Sequence, residues 1–142
     1  MEKAYEKAIK LLKIRPHHSA ELTKKLLMRG FDRDVVAAVI QKLAHEKLFD
    51  NENFAQMYLD ELLRNKTFGF YMLKAKLMQR GIASNEAEIL LKENLSVEDE
   101  LQIAMRVVER EKETDKLKLA QKLQRKGFRS EIISKIISNR QK

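Results

Sequence analysis

Apolar residues recur along this chain at the spacing of one helix face. Over residues 5–12, and again over 101–108, apolar side chains fall at positions i, i+3, i+4 and i+7, which is the pattern of an amphipathic α-helix with one buried side. No stretch alternates apolar and polar residues for long enough to predict a β-strand. Because Pro16 is the only proline, little interrupts the helical periodicity. The pattern therefore predicts an all-α protein.

A pattern centred on a glycine occurs three times, at Gly30, Gly81 and Gly127. In each copy a leucine lies eight and four residues before the glycine, and a lysine lies five before it. A basic residue directly precedes the glycine, and Phe or Ile directly follows it. These positions are Leu22, Lys25, Leu26, Arg29 and Phe31 in the first copy, Leu73, Lys76, Leu77, Arg80 and Ile82 in the second, and Leu119, Lys122, Leu123, Lys126 and Phe128 in the third.

Each element of this repeat has a structural explanation. Two leucines four residues apart form the buried stripe of a short helix, and the glycine after it supplies the left-handed backbone of a C-terminal cap. A second short helix should follow each glycine, opened by Asp32, Ser84 and Arg129–Ser130. A longer helix should precede each pair, over residues 2–15, 51–67 and 97–113, with Asp50 and Ser96 as N-caps of the second and third.

The fold predicted from these elements is three tandem three-helix repeats, over residues 1–48, 49–94 and 95–142. A unit of this size is near the lower limit for independent folding, so neighbouring units must share apolar surface. We therefore expect an elongated, curved helical array. In such an array the middle glycine, Gly81, should tolerate substitution less well than Gly127, because it would disturb two junctions.

Charge is distributed unevenly over the chain, which has 29 Lys and Arg against 21 Asp and Glu and a formal net charge of +8. The two outer units are basic and the middle unit is slightly acidic. A single lysine on a helix is usually only part of a solvated face, but here the cations recur at equivalent repeat positions. We therefore predict a basic stripe that binds an acidic protein surface or a phosphate backbone. It comprises Lys24, Lys25, Arg29, Arg64, Lys74, Lys76, Arg80, Lys118, Lys122, Arg125 and Lys126.

Candidate catalytic chemistry is sparse. The chain has no cysteine, so thiolate nucleophiles and thiolate metal sites are excluded, and no glycine-rich phosphate loop is present. His17 and His18 are adjacent and are expected to be a solvated pair. The acidic residues over 109–115 are expected to form a hydrated turn, although a pair of divalent-metal ligands there stays open. We predict no catalytic residue, no metal site and no cofactor.

From the distribution of apolar residues we expect neither a membrane span nor a signal peptide. The sequence contains no apolar run long enough to cross a membrane, and its first residues lack the apolar stretch of a signal peptide. We expect a cytoplasmic protein without a membrane partner.

One segment carries a family resemblance. Residues 47–82, KLFDNENFAQMYLDELLRNKTFGFYMLKAKLMQRGI, resemble the core signature of the RecX regulatory proteins. The matching positions are Leu48, Asp50, Phe54, Ala55, Tyr58, Arg64, Phe68, Gly69, Leu77, Arg80, Gly81 and Ile82. The first unit resembles the family's N-terminal repeat, and the third is the weakest match. The chain departs from the usual pattern at Lys47, Asp60, Leu62 and Phe70.

This resemblance implies a non-enzymatic modulator of RecA, with inhibition as the expected direction. Proteins of this kind bind along the groove of the RecA filament on single-stranded DNA and regulate its ATPase, strand exchange and role in DNA repair and the SOS response; some also contact DNA. We expect a monomer with the RecA filament as its partner. Two other functions stay open, namely a helix-turn-helix-like DNA-binding module with a non-specific basic surface and an all-helical scaffold for another partner.

Most signature residues also have a plain structural role. Phe54, Ala55 and Tyr58 have the spacing of one buried helix stripe, so we expect them to pack. Asp50 is expected to be an N-cap. The aromatic residues around Gly69 could either fill the space between units or stack on bases.

Overall fold

The computed structural model describes the backbone of residues 1–140 and the side chains of residues 1–139. Within that part of the chain there are nine helices and no strand, so the all-α repeat fold is confirmed. The helices are α1 (Glu2–Ile14), α2 (Ser19–Met28), α3 (Arg33–His45), α4 (Asn51–Arg64), α5 (Phe70–Gln79), α6 (Ser84–Asn94), α7 (Val97–Glu111), α8 (Lys116–Arg125) and α9 (Ser130–Arg140). Three helices fall within each predicted unit, while the limits of the units stay a prediction.

The first helix of each unit is shorter than the sequence pattern predicts. Helix α1 ends before Arg15, whose extended backbone is what a following proline favours. Helices α4 and α7 end close to Lys66 and Lys112, whose backbones are left-handed with φ of 48° and 55°. A left-handed residue stops an α-helix, and side-chain periodicity alone did not reveal these two positions.

The middle helix of each unit ends as predicted, in a glycine cap. The φ angles of Gly30, Gly81 and Gly127 are 91°, 100° and 88°. At the third cap the Gly127 N–H donates to Gln124 O at 3.0 Å and the Phe128 N–H donates to Leu123 O at 3.1 Å. This pair of bonds is the Schellman arrangement, and it folds Phe128 back onto its own helix.

Two predicted N-caps are present. The Asp50 carboxylate accepts the Asn53 N–H at 3.1 Å. Ser96 and Asp99 form a complete capping box, in which each side chain accepts the other residue's backbone N–H. These caps fix where α4 and α7 begin.

Apolar side chains form two separate core clusters. The first contains only residues of α1–α3, from Ala4 to Leu43. The second is a single cluster whose buried residues range from Phe54 to Ile136, and it joins the helices α4–α6 to the helices α7–α9. The second and third units therefore share one core, whereas the first unit has its own.

The middle helices of successive units meet end to end. The Gly69 N–H and the Tyr71 N–H, at the start of α5, donate to Lys126 O at 2.9 Å and Gly127 O at 2.8 Å. The end of α8 thus rests on the beginning of α5. In the same way, the turn at Gly81 ends α5 directly against the beginning of α2.

Candidate interaction surface

The predicted basic stripe divides into two groups in the structure. Five of its residues are exposed and form no ion pair with another described residue. We call these the unpaired basic residues: Lys24, Arg29, Arg64, Lys118 and Arg125. Lys24 lies on α2, and Arg29 lies at the C-terminal end of that helix. Arg64 lies at the C-terminal end of α4. Lys118 and Arg125 lie on α8.

The other cations of the stripe are held by neighbouring side chains. The Glu111 carboxylate contacts Lys122 at 3.5 Å and Lys126 at 3.6 Å. The Lys74 ammonium lies 3.5 Å from the Glu88 carboxylate. These pairs are half-exposed, so each stabilises the fold only slightly, but they partly neutralise the charge that a partner would meet.

Two more cations of the stripe lie over aromatic rings. Lys76 Nζ is 4.6 Å from the centre of the Phe68 ring, and the Arg80 guanidinium is 4.6 Å from the centre of the Tyr58 ring. Cation–π contacts of this kind fix the position of the charged group. Tyr58 and Phe68 therefore orient basic residues of the stripe, a role that the sequence pattern did not suggest.

His17 is buried, so the expectation of a solvated histidine pair is wrong for this residue. Only 2% of its surface is exposed. Its Nδ1 lies 2.9 Å from Arg15 O and its Nε2 lies 2.9 Å from Lys25 Nζ. Because an ammonium can only donate, Nε2 must accept from Lys25, and the ring is neutral with its proton on Nδ1.

The charge state of His17 follows from these neighbours. Burial lowers its pKa, and the positive charges of Arg15 and Lys25 lower it further, while the hydrogen bond to Arg15 O and the charge of Glu21 act in the opposite direction. Burial raises the pKa of Glu21, but its hydrogen bonds with Arg15, at 2.6 and 3.1 Å, and the charge of Arg15 leave that pKa below its usual value. Arg15, His17, Glu21 and Lys25 thus form one network of hydrogen bonds and charges around the beginning of α2.

Glu100 is fully buried at the contact between the second and third units. Its carboxylate accepts the Phe70 N–H at 3.0 Å, the Arg129 N–H at 3.1 Å and Arg129 Nε at 2.6 Å. The Arg129 guanidinium lies 4.5 Å from the centre of the Phe70 ring. One carboxylate thus serves the beginnings of α5 and α9, where the helix dipoles favour negative charge.

The ion pair between Glu100 and Arg129 was not predicted from the sequence, although the position of Glu100 in the apolar pattern of its helix indicates an unusual residue. Glu100 precedes Ile103, Ala104 and Val107 by three, four and seven residues, so it lies on the apolar face of its own helix. A charged residue on such a face needs a buried partner. Only the fold reveals that the partner is Arg129.

The signature residues have mainly structural positions. Phe54, Gly69, Leu77 and Ile82 are buried, and Ala55 and Tyr58 are half-buried. Leu48 is exposed and Asp50 is the N-cap of α4. Gly81 lies in the turn that ends α5. Of the two aromatic residues that follow Gly69, Phe70 is buried, whereas 58% of Tyr71 is exposed.

A close approach explains the glycine at position 69. A Cβ atom there would lie 2.4 Å from Phe128 Cα and 2.5 Å from Phe128 N. No side chain fits at that distance, so this position must be glycine for the third unit to dock.

The acidic residues over 109–115 take part in the fold. Glu111 pairs with Lys122 of α8 and with Lys126, the C-cap of that helix. The Asp115 carboxylate caps the start of α8 by accepting the Lys118 N–H at 3.1 Å. Among the described residues, no three or more His, Asp or Glu side chains are grouped so as to hold a metal ion. Nor does any helix in that part of the chain have the length and apolar character needed to span a bilayer.

Comparison with known proteins gives consistent matches. A family model for the first three-helix domain of RecX matches residues 4–43. The regulatory protein RecX of Prosthecochloris aestuarii is 31% identical over 134 residues, which cover 92% of this chain and 89% of that protein. The regulatory protein RecX of Chlorobium limicola is 35% identical over 86 residues, which cover 61% of this chain and 54% of that protein. The chain thus spans about half the length of some relatives and most of the length of others.

Solved structures give the same result. The crystal structure of RecX from Lactobacillus salivarius superimposes with a TM-score of 0.75 at 26% identity, covering 99% of this chain and 96% of that one. A second RecX crystal structure, at 21% identity, also has a TM-score of 0.75 and supports the fold alone. The extent and the identity of these matches show that the chain belongs to the RecX family of regulatory proteins.

Proposed function

We propose that this chain is a non-enzymatic modulator of RecA, which binds in the groove of the RecA filament on single-stranded DNA and restrains its ATPase and strand exchange. Family membership and the signature over residues 47–82 support this proposal, and the relatives are named regulatory proteins. The observation that carries it is the occurrence of unpaired basic residues in each of the three repeats.

The contact with the filament would be largely electrostatic. Lys24 and Arg29 in the first repeat, Arg64 in the second, and Lys118 and Arg125 in the third are free to meet carboxylates of RecA or phosphates of DNA. Electrostatic complementarity of this kind speeds association and depends on salt concentration. The cations held by Glu111, Glu88 or aromatic rings would contribute less.

The repeat architecture suits a filament. Because α8, α5 and α2 follow each other end to end, basic residues from separate repeats are distributed along the array instead of being concentrated at one point. Weak contacts on successive protomers then reinforce each other through their high effective concentration. A monomer of this protein would thus bridge more than one RecA protomer.

The test is a titration of the DNA-dependent ATPase of RecA with this protein. We expect a decrease at substoichiometric amounts of the protein, together with a decrease in strand exchange. Affinity for bare single-stranded DNA is measured in parallel at two salt concentrations. An unchanged ATPase at equimolar, folded protein would refute the proposal.

A second candidate function, direct DNA binding, is favoured by one further cluster. Arg64, Lys66, Arg106 and Arg110 line a depression of about 260 Å³ between the ends of α4 and α7, together with Glu109. Arg110 is held there by donating to Lys66 O at 2.6 Å. If this cluster binds the phosphate backbone, affinity for bare DNA will fall steeply with salt and Arg106→Ala will weaken it. Tight DNA binding without any effect on RecA would favour this alternative.

A further inference from the structure

A groove separates the first and third helices of the second unit. In the first unit α1 packs against α3, and in the third unit α7 packs against α9, whereas α4 and α6 do not pack closely. The side-chain amides of Gln56 and Asn94 bridge the gap, with N–O distances of 3.0 and 3.4 Å. Beside this bridge is a groove of about 470 Å³, which we call the α4–α6 groove. Its lining residues are His18, Asn51, Glu52, Ala55, Ile82, Glu86, Ile89, Leu90 and Glu93.

The centre of the groove is apolar. Ile82, Ile89 and Leu90 line it from the side of α6, and Ala55 lines it from α4. Ile82 is buried in the core, but 57% of Ile89 is exposed to solvent. An exposed isoleucine beside a concave apolar surface offers an anchoring point for a side chain of a partner.

The rim of the groove is acidic. Glu52, Glu86 and Glu93 are exposed along it, and no lysine or arginine lines it. His18 adds little positive charge at neutral pH, because burial lowers its pKa. A protein with a net charge of +8 thus has a local site of the opposite sign.

We propose that the α4–α6 groove binds a basic amphipathic helical segment of a partner protein. Apolar side chains of that helix would contact Ile89 and Leu90, and lysines or arginines on its flanks would meet Glu52, Glu86 and Glu93. This is the helix-in-groove mode of recognition, with charge complementarity at the rim. The net positive charge of the protein disfavours a basic partner on the rest of its surface, so the acidic rim favours binding at the groove.

The groove and the basic stripe lie on different sides of α6. Glu88, which pairs with Lys74 of the stripe and with Lys92, is on the face of α6 opposite Glu86 and Glu93. Binding at the groove therefore does not depend on RecA, and it can be absent while the proposed function holds.

The experiment uses the full chain and a synthetic probe. The probe is a fluorescein-labelled peptide of lysine and leucine whose leucines lie on one helical face, and its binding is followed by fluorescence anisotropy. The control probe has the same composition in scrambled order, so its leucines share no face. We expect the full chain to bind the first probe at least about tenfold more tightly than the second.

Variants of the protein locate the site. Ile89→Ser, and separately the double variant Glu86→Gln with Glu93→Gln, should each weaken binding of the probe roughly tenfold. The matched control is Glu61→Gln with Glu98→Gln, which removes the same charge from exposed positions outside the groove and should leave the affinity unchanged. Because Ile89, Glu86 and Glu93 are exposed, the groove variants should keep the helicity of the parent protein.

Three results would overturn the inference. The first is equal binding of both probes, and the second is an equal loss of affinity in the control variant. The third concerns a second copy of this chain as the occupant. If sedimentation shows self-association that Ile89→Ser abolishes, the groove serves an interface between copies and not a separate partner.

Discussion

The carboxylate of Glu100 accepts a hydrogen bond from the backbone N–H of Phe70 at 3.0 Å, across the contact between the second and third repeats. The same carboxylate binds the backbone and the side chain of Arg129. A single buried anion therefore connects the beginning of α5, in one repeat, with α7 and the beginning of α9 in the next. Because these repeats also share one apolar core, we expect them to unfold together.

The first prediction concerns this buried anion. Glu100→Ala leaves Arg129 and two backbone N–H groups without their acceptor, which should lower the free energy of unfolding by about 3–5 kcal/mol. Glu100→Gln should also destabilise the protein, because its amide NH₂ would face donors. Urea denaturation followed by circular dichroism measures both. Glu98→Ala, on the exposed side of the same helix, is the control, and an equal effect there would contradict the role of Glu100.

Much of this fold could be predicted from sequence, because its determinants are local. The leucines at repeated positions, the glycine caps and Asp50 act within a few residues of chain, so periodicity and cap chemistry indicate them. Glu100 could not be placed in this way, since its partners Phe70 and Arg129 lie about 30 residues away along the chain and meet it only when the repeats dock. The partners of His17 are local, but its burial depends on how the folded chain packs around it. For the same reason the sequence predicted a basic stripe but not which of its cations are already paired.

The second prediction concerns the cap glycines. A Cβ at Gly30 would meet no atom within 4 Å, whereas at Gly127 it would lie 2.2 Å from Met72 N. Gly30→Ala should cost about 1 kcal/mol from the left-handed backbone alone. Gly127→Ala should cost about 2–4 kcal/mol, because the junction with α5 must also shift.

This order differs from the one that the repeat pattern suggested. At Gly81 the nearest atom to a new Cβ would be Glu21 N at 2.8 Å, so Gly81→Ala should rank between Gly30→Ala and Gly127→Ala. Thermal melting of the three variants gives the comparison. If Gly81→Ala melts lowest, sensitivity follows position in the array and not local crowding.

The third prediction concerns pH. The pKa values of His17 and His18 are lowered, in both cases first by burial. Such groups bind protons more readily in the unfolded chain. The stability they contribute is fully present above the usual histidine pKa of 6.5 and is lost as pH falls toward their folded values. Unfolding free energy should therefore decrease between about pH 7.5 and about pH 5.5.

Substitution separates this effect from other titrations. His17→Gln should reduce the difference in unfolding free energy between the two pH values, even if it destabilises the protein at both. His45→Gln, at an exposed position, should keep the full difference. Glu21 does not interfere, because its pKa lies below its usual value of 4.5. A difference that is unchanged in His17→Gln would show that the buried neutral ring does not cause it.

The last prediction tests the unpaired basic residues. Lys118→Glu combined with Arg125→Glu should weaken the effect on RecA ATPase and flatten its dependence on salt, because both cations are exposed and form no ion pair with another described residue. Reversing Lys122 and Lys126 would be a poorer test, since it would also break their ion pairs with Glu111.

The matched control is Lys13→Glu with Lys135→Glu, which changes the net charge equally at exposed positions outside the stripe. The dependence on salt can also be measured as the slope of the logarithm of the affinity for single-stranded DNA against the logarithm of the salt concentration. The magnitude of this slope should decrease by about 0.7 for every phosphate that the variant no longer neutralises. A control that weakens the effect as strongly would mean that net charge, and not the position of these two residues, governs binding to the filament.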